Sequence, residues 1–189
     1  MKHLIIGGVR SGKSRYAECL ASLSSKPVLY LATAEPIDAE MQARIAHHQA
    51  HRPSTWPTIE APLKLEPILL NPNYQQHLIL IDCMTLWLNN WLYYLSREYK
   101  GLEAIVLSES EYVNNSFQQV KSDFLGALKN TQADVVLVSN EVGFSITPEN
   151  ALARQFCDQQ GWLNQAIAEQ CEQVSAVMAG LPLLLKGKV

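Results

Sequence analysis

The stretch Gly7-Gly8-Val9-Arg10-Ser11-Gly12-Lys13-Ser14 follows the apolar run Leu4-Ile5-Ile6 and leads into residues with helical spacing. It fits the pattern G-x-x-x-x-G-K-[ST], a phosphate-cradling loop between a strand and a helix. The glycines let backbone N–H groups turn inward around an anion, and the helix that follows adds the positive end of its dipole. Lys13 is placed to reach the outer phosphates and Ser14 to ligate Mg²⁺. A nucleoside triphosphate is therefore expected at the end of the first strand.

A chain of 189 residues, 48% hydrophobic and 17% charged, suffices for one well-filled core and is short for two domains, so residues 1–189 are expected to form one domain. Its net charge of −3 argues against a general nucleic-acid or membrane surface. No apolar run approaches the ~20 residues of a membrane span, and Met1-Lys2-His3 leads directly into a strand rather than a signal peptide. Cys19, Cys83, Cys157 and Cys171 are scattered with no C-x-x-C pair, which points to reduced thiols in a cytoplasmic protein.

Periodicity predicts strands at Lys2–Ile6, Pro27–Thr33, His77–Asp82 and Asp134–Glu141 and a final one around Val174–Met178, with a short extended piece at Thr58–Glu60. Helices are predicted at 14–22, 38–52, 63–70, 83–95, 113–129 and 151–168, the last broken near Gly161, and 96–110 has no clear period. Strands alternating with helices imply an α/β fold with a mostly parallel sheet. The small residues Ala32-Thr33-Ala34 end one strand, where ligands bind in open α/β sheets and where small residues also serve packing alone. Asp82 ends another, and an acid there, paired with Lys13 and Ser14, suits Mg²⁺.

The segment 38–52 is rich in basic and imidazole groups: Arg44, His47, His48, His51 and Arg52. Arg44, His48 and Arg52 are each four residues apart and would share one helix face. Two guanidiniums flanking an imidazole can hold phosphate oxygens around a nucleophile, and a solvated surface is the competing reading. Zinc is disfavoured, because His47, His48 and His51 do not share a face.

Several of these stretches together resemble the bifunctional adenosylcobinamide kinase and adenosylcobinamide-phosphate guanylyltransferase family of cobalamin biosynthesis. They are GGVRSGKSRYAE at 7–18, YLATAEPIDAEMQARIAHHQAHRP at 30–53, LIDCMTLWLNN at 80–90 and VSNEVGFSITPENALARQF at 138–156, followed by Gly161 and Asn164-Gln165. Specificity comes from the loop, the His-His helix and Asn140-Glu141-Val142-Gly143 occurring in one chain. The resemblance implies a P-loop NTPase with a RecA-like sheet, a homotrimer, and Mg²⁺ with ATP or GTP as substrates. It also implies phosphorylation of the aminopropanol hydroxyl of adenosylcobinamide, then transfer of GMP to that phosphate with release of pyrophosphate through a guanylyl-histidine. His48 is the implied nucleophile and His47 the alternative. The implied nucleotide contacts are Gly7, Gly8, Val9, Arg10, Ser11, Gly12, Lys13, Ser14, Ala32, Thr33, Ala34, Gln49, Ala50, His51, Arg52, Glu60 and Asp82, with Ser14 and Asp82 on the metal. Cys157 departs from the family pattern, which leads one to expect a basic residue there.

Two other classes stay open. A plain small-molecule kinase would use the same loop and no covalent histidine, but beyond the His-His helix only Arg97 and Arg154 offer a basic lid. An NTP-driven module acting on DNA would need a basic stripe, and none appears outside 44–52.

Overall fold

The computed structural model describes residues 1–100, 108–144 and 146–188; the side chain of His51 also lies outside what it describes. In chain order the elements are β1 (Lys2–Gly7), α1 (Lys13–Ser22), β2 (Val28–Ala32), α2 (Ala39–His51), β3 (Thr58–Glu60), α3 (Glu66–Leu69), a 3-10 turn at Pro72–Tyr74, β4 (Leu78–Asp82), α4 (Met84–Lys100), α5 (Glu109–Asn130), β5 (Asp134–Asn140), α6 (Ala151–Gln170), β6 (Gln173–Met178) and β7 (Leu181–Lys186). Among the described residues the strands form a seven-stranded sheet in the order β3-β2-β4-β5-β1-β6-β7. Every pairing is parallel except β6 with β7. The mostly parallel, helix-flanked α/β sheet expected from the sequence is thus the observed one.

The central strands read as continuous aliphatic runs because both faces of a parallel sheet are covered. On one face Leu4, Leu29, Leu31, Ile79, Ile81, Val135 and Leu137 pack with Trp87, Phe117 and Phe124 beneath α4, α5 and α6. On the other face Ile5, Tyr30, Leu80, Val136 and Val138 meet Ala17 and Ala21 of α1. These small residues, four apart on one helix face, let α1 lie close to the sheet. Trp87 is fully buried, and its indole N–H and that of Trp91 both donate to the Leu63 carbonyl, at 2.6 and 3.0 Å.

Several boundaries differ from expectation. The helix expected at 63–70 is a single turn, Glu66–Leu69, because Pro67 lacks an N–H and is tolerated only in a first turn. Helix α4 runs on to Lys100 and α5 starts at Glu109, where Ser108 and Glu111 form a capping box; residues 101–107 of the aperiodic stretch lie outside the described residues. Gly161 does not break α6. The buried Gln160, Leu163, Asn164 and Ile167 around it anchor the helix and outweigh the ~1 kcal/mol cost of a helical glycine.

The last strand was not expected. Residues 181–186 return antiparallel to β6 through a turn in which Ala179 and Gly180 both have positive φ, 52° and 79°. That is the two-residue hairpin geometry that matches strand twist. Pro182 is accommodated because β7 is an edge strand.

Candidate nucleotide and phosphoryl-transfer site

Six parallel strands end on one edge of the sheet: β1 at Gly7, β2 at Ala32, β3 at Glu60, β4 at Asp82, β5 at Asn140 and β6 at Met178. This is the edge at which open α/β sheets bind ligands. It brings the expected contacts Gly7, Ala32, Glu60 and Asp82 together although they are spread over 76 positions of sequence. Ala32 pairs with Asp82 on one side and Glu60 on the other, and Ala34 lies half-buried just beyond.

The loop Gly8–Gly12 turns sharply between β1 and α1. Arg10 has φ 56° and Gly12 φ 95°, and the Ser11 N–H donates to the Gly8 carbonyl at 3.2 Å. A Cβ on Gly7 would lie 2.5 Å from the Val177 carbonyl, so only glycine fits there. The unexpected β6–β7 turn buttresses the loop: the Gly180 N–H donates to the Ser11 carbonyl at 2.8 Å. Ser11 Oγ is buried with no hydrogen-bond partner among the described groups. An orphaned hydroxyl inside a loop of this shape suits an anionic ligand. Val9 is exposed, whereas Lys13 and Ser14 are half-buried at the first turn of α1, whose leading N–H groups have no helical acceptor.

Lys13 donates to the Gly8 carbonyl at 3.1 Å. Burial lowers its pKa, while the nearby Asp82 carboxylate opposes the shift. Asp82, at the end of β4, is therefore close enough to act electrostatically on Lys13 at the start of α1. Asp82 Oδ2 accepts from the Tyr30 hydroxyl at 3.0 Å. Burial first, and then Asp82, raises the Tyr30 pKa far above its ordinary range, so the phenol stays a donor. Cys83, joined to Asp82 by a cis peptide, is buried and its thiol is pushed up to about 12, so it stays protonated.

Thr33 enters the site differently from expectation. Fully buried, it donates from Oγ1 to the Cys83 carbonyl at 2.7 Å and accepts from the Cys83 N–H at 2.8 Å. Its hydroxyl holds the Asp82–Cys83 turn in place.

The basic helix is the element the sheet does not gather in. No residue of α2 with a described side chain is buried, and His48, Gln49 and Ala50 are exposed. The rings of His47 and His48 meet edge to face at 6.2 Å. Arg44 and His48, four apart within α2, share a face, along which Arg44 is ion-paired with Glu40 at 2.6 Å, but Arg52 leaves the helix with extended backbone. Pro53 explains the exit, since it drives the preceding residue out of the helical region. The Arg52 guanidinium instead lies 3.7 Å over the Tyr30 ring, a cation–π contact, and so reaches the Asp82 corner. Tyr30 was missed from sequence, yet strand alternation places it on the face of Asp82, and that signal could have found it.

A family model described as cobinamide kinase / cobinamide phosphate guanyltransferase matches residues 3–185. The chain belongs to this family. The bifunctional adenosylcobalamin biosynthesis protein CobP of Pseudomonas aeruginosa is 42% identical over 188 residues, all of this chain and 99% of the relative. The bifunctional adenosylcobalamin biosynthesis protein CobU of Escherichia coli is 38% identical, covering 98% of this chain and all of its own length. The protein of that name from Salmonella typhimurium is 37% identical over the same shares. The chain is thus an enzyme of the cobinamide kinase / guanyltransferase family of cobalamin biosynthesis. Two solved structures also match at 13% identity: the RadB recombinase, TM-score 0.44 over 93% of this chain and 73% of its own, and the P4 protein of bacteriophage phi6 with ADP, TM-score 0.42 over 96% and 53%.

Proposed function

We propose that this enzyme phosphorylates the aminopropanol hydroxyl of adenosylcobinamide with ATP or GTP, and then transfers GMP from GTP to that phosphate through a guanylyl-histidine on His48. The observation that carries the reading is the convergence of Lys13 and Asp82 at the N-terminus of α1 in a chain of this family. In the kinase step the substrate hydroxyl oxygen attacks the γ-phosphorus, the bond to the β–γ bridging oxygen breaks, and a nucleoside diphosphate leaves as the hydroxyl proton is lost. Lys13, the loop N–H groups and the α1 N-terminus neutralise the departing phosphates, so alignment and charge do the work without a side-chain nucleophile.

In the second step an imidazole nitrogen of His48 attacks the α-phosphorus of GTP, expelling pyrophosphate and forming a phosphoramidate. A phosphate oxygen of adenosylcobinamide phosphate then displaces the imidazole to give adenosylcobinamide-GDP. Splitting the transfer replaces one difficult displacement by two easier ones. The exposure of His48 supports this role, because the group must meet two large partners in turn. Arg52, on Tyr30 beside Asp82, is placed to hold nucleotide oxygens near the helix.

The donor set suits Mg²⁺. Among the described residues no group of three or more His, Cys, Asp or Glu could hold a metal alone, and Mg²⁺ in nucleotide sites needs few protein ligands because phosphates and water supply the rest. Ser14 and Asp82 would hold it, and it would supply charge to the β- and γ-oxygens.

We read residues 1–189 as one catalytic domain, supported by the single sheet, and the assembly as a homotrimer in the cytoplasm. The exposed apolar side chains Leu181, Leu183 and Leu185 on the edge strand β7 support an assembly, since such edges are rarely left bare. Reduced, dispersed cysteines support the compartment. No described helix is long and apolar enough to cross a membrane, and the acidic balance gives no support to nucleic-acid binding.

The test is incubation with Mg²⁺ and GTP labelled at the α-phosphate, then denaturation. Acid-labile, base-stable label in the wild type that His48→Ala abolishes is expected. Label lost instead in His47→Ala would move the nucleophile by one residue. No label, with nucleotide binding intact, would leave the chain a kinase alone.

A further inference from the structure

The motif Asn140-Glu141-Val142-Gly143 singles out this family, yet none of its residues has a role in the chemistry above. Its position is informative. β5 lies between β1, which feeds the phosphate loop, and β4, which ends in Asp82. Asn140 pairs with Gly7, and Asp82 pairs with Val138. At a strand spacing of about 4.8 Å, the tip of β5 thus stands between the loop and the acid.

Strand alternation decides which way its side chains face. Val135 and Leu137 belong to the core under α4, α5 and α6, and Ser139 follows them, bonding Asn164 of α6. Val136 and Val138 belong to the core on the α1 side, and Asn140 follows these. Asp82 likewise follows Leu78 and Leu80 onto the α1 side. The Asn140 carboxamide, the Asp82 carboxylate and the first turn of α1 therefore share one face. Glu141 is already committed: its carboxylate accepts from the Gly143 N–H at 2.7 Å, and its own N–H donates to the Gly7 carbonyl at 3.0 Å. The Asn140 side chain is half-buried and makes no hydrogen bond among the described residues.

Two buried side chains, Thr85 and Asn164, hold the backbone of this residue. The Asn140 N–H donates to Thr85 Oγ1 at 2.7 Å, and its carbonyl accepts from Asn164 Nδ2 at 3.0 Å. Asn164 Oδ1 in turn accepts from Ser139 Oγ at 2.7 Å and from Gln160 Nε2 at 3.0 Å. Thr85, Ser139, Gln160 and Asn164 are all buried. Gln160 Oε1 finds no partner among the described groups, but the bonds from Thr85 and Asn164 to the Asn140 backbone are made, and paired buried polar groups fix geometry.

We propose that Asn140 is a catalytic contact of the terminal phosphate of the bound triphosphate, donating its amide N–H to a γ-phosphoryl oxygen between Lys13 and Asp82, and that Thr85 and Asn164 are positioning residues which hold it there. This rests on the reading that the loop binds a nucleoside triphosphate. The contact is absent for a diphosphate, so it helps the enzyme release one nucleotide product and take up the next substrate. It belongs to the kinase step and not to attack at the α-phosphate.

The experiment is equilibrium binding, with Mg²⁺, of ADP and of the ATP analogue with an imido bridge between the β- and γ-phosphates, to the full chain. A hydrogen bond to a charged group corresponds to a loss of about tenfold or more in affinity. Asn140→Ala is expected to lose that much for the triphosphate analogue and little for ADP. Asn140→Asp, of the same shape but charged, is expected to lose more still. Thr85→Val should show the same selective loss, with Thr85→Ser restoring most of it, a pattern that general destabilisation would not produce. Equal losses for both nucleotides, or no loss for either, would overturn the proposal. A wild type that binds neither nucleotide would instead overturn the phosphate-loop reading, and this proposal with it.

Discussion

At the scale of single residues, the site depends on conformations that few side chains allow. Gly12 has φ 95°, and a Cβ there would also come 3.1 Å from Gly180 Cα in the β6–β7 turn. Gly12→Ala is expected to cost about 1–2 kcal/mol of stability from the left-handed backbone and to weaken nucleotide binding about tenfold by moving the loop N–H groups. Thermal denaturation and equilibrium binding would register the two effects separately; unchanged binding would mean the loop tolerates another path. Lys13→Met removes the half-buried ammonium beside Asp82, and phosphoryl transfer should fall about a hundredfold or more in a steady-state assay, with the fold intact by circular dichroism.

Elements differ in what stabilises them. Helix α4 is anchored by Trp87, fully buried and in ring contact with Phe117 and Phe124 of α5 at 5.9 and 5.0 Å. Trp87→Ala should cost about 3–5 kcal/mol, the range for large aromatic truncations in a core, as read from denaturant midpoints. Helix α2 has no buried side chain among its described ones to rely on, so its N-cap matters more: Asp38 Oδ1 accepts from the Met41 N–H at 2.7 Å. Asp38→Ala should cost about 1 kcal/mol, felt locally in α2, and slow guanylylation while leaving the global melt nearly unchanged. Strand β1 carries His3, buried with Nε2 2.9 Å from Ser175 Oγ on β6. Burial lowers the His3 pKa below its ordinary 6.5. Between the lowered value and 6.5 the unfolded chain binds a proton that the folded chain does not, so stability falls as the pH drops through this window. Melting temperatures from pH 7 to 5 should decline less in His3→Gln, whose amide can keep the bond to Ser175; an identical decline would assign the effect to other groups.

For the whole molecule, the parallel order of the sheet creates the site. One reversal in β4 or β5 would carry Asp82 or Asn140 to the opposite edge. Sedimentation equilibrium should return about three times the 21.1 kDa chain mass if the proposed homotrimer forms, and a monomer mass would refute it. Enzyme with ordinary activity as a monomer would show that the site on this edge needs no neighbour.

Sequence by itself determined what is local. The phosphate loop, the acid at the end of an aliphatic strand, the alternation of strands and helices and the family motifs are all specified within short windows, because loop shape and strand or helix period depend on neighbouring residues. What only the tertiary structure decided is what depends on pairing across the chain. The placement of β5 between the loop strand and Asp82 follows from which faces the helices cover, not from any residue of β5 alone. Arg52 is four residues from His48 and should share its face, yet Pro53 and the Tyr30 ring take it elsewhere. The β6–β7 hairpin escaped notice because Ala179-Gly180 is a weak turn signal and Pro182 reads against a strand until the edge position is known. Its contact with Ser11, from the far end of the chain, is the kind of long-range support that no local window contains.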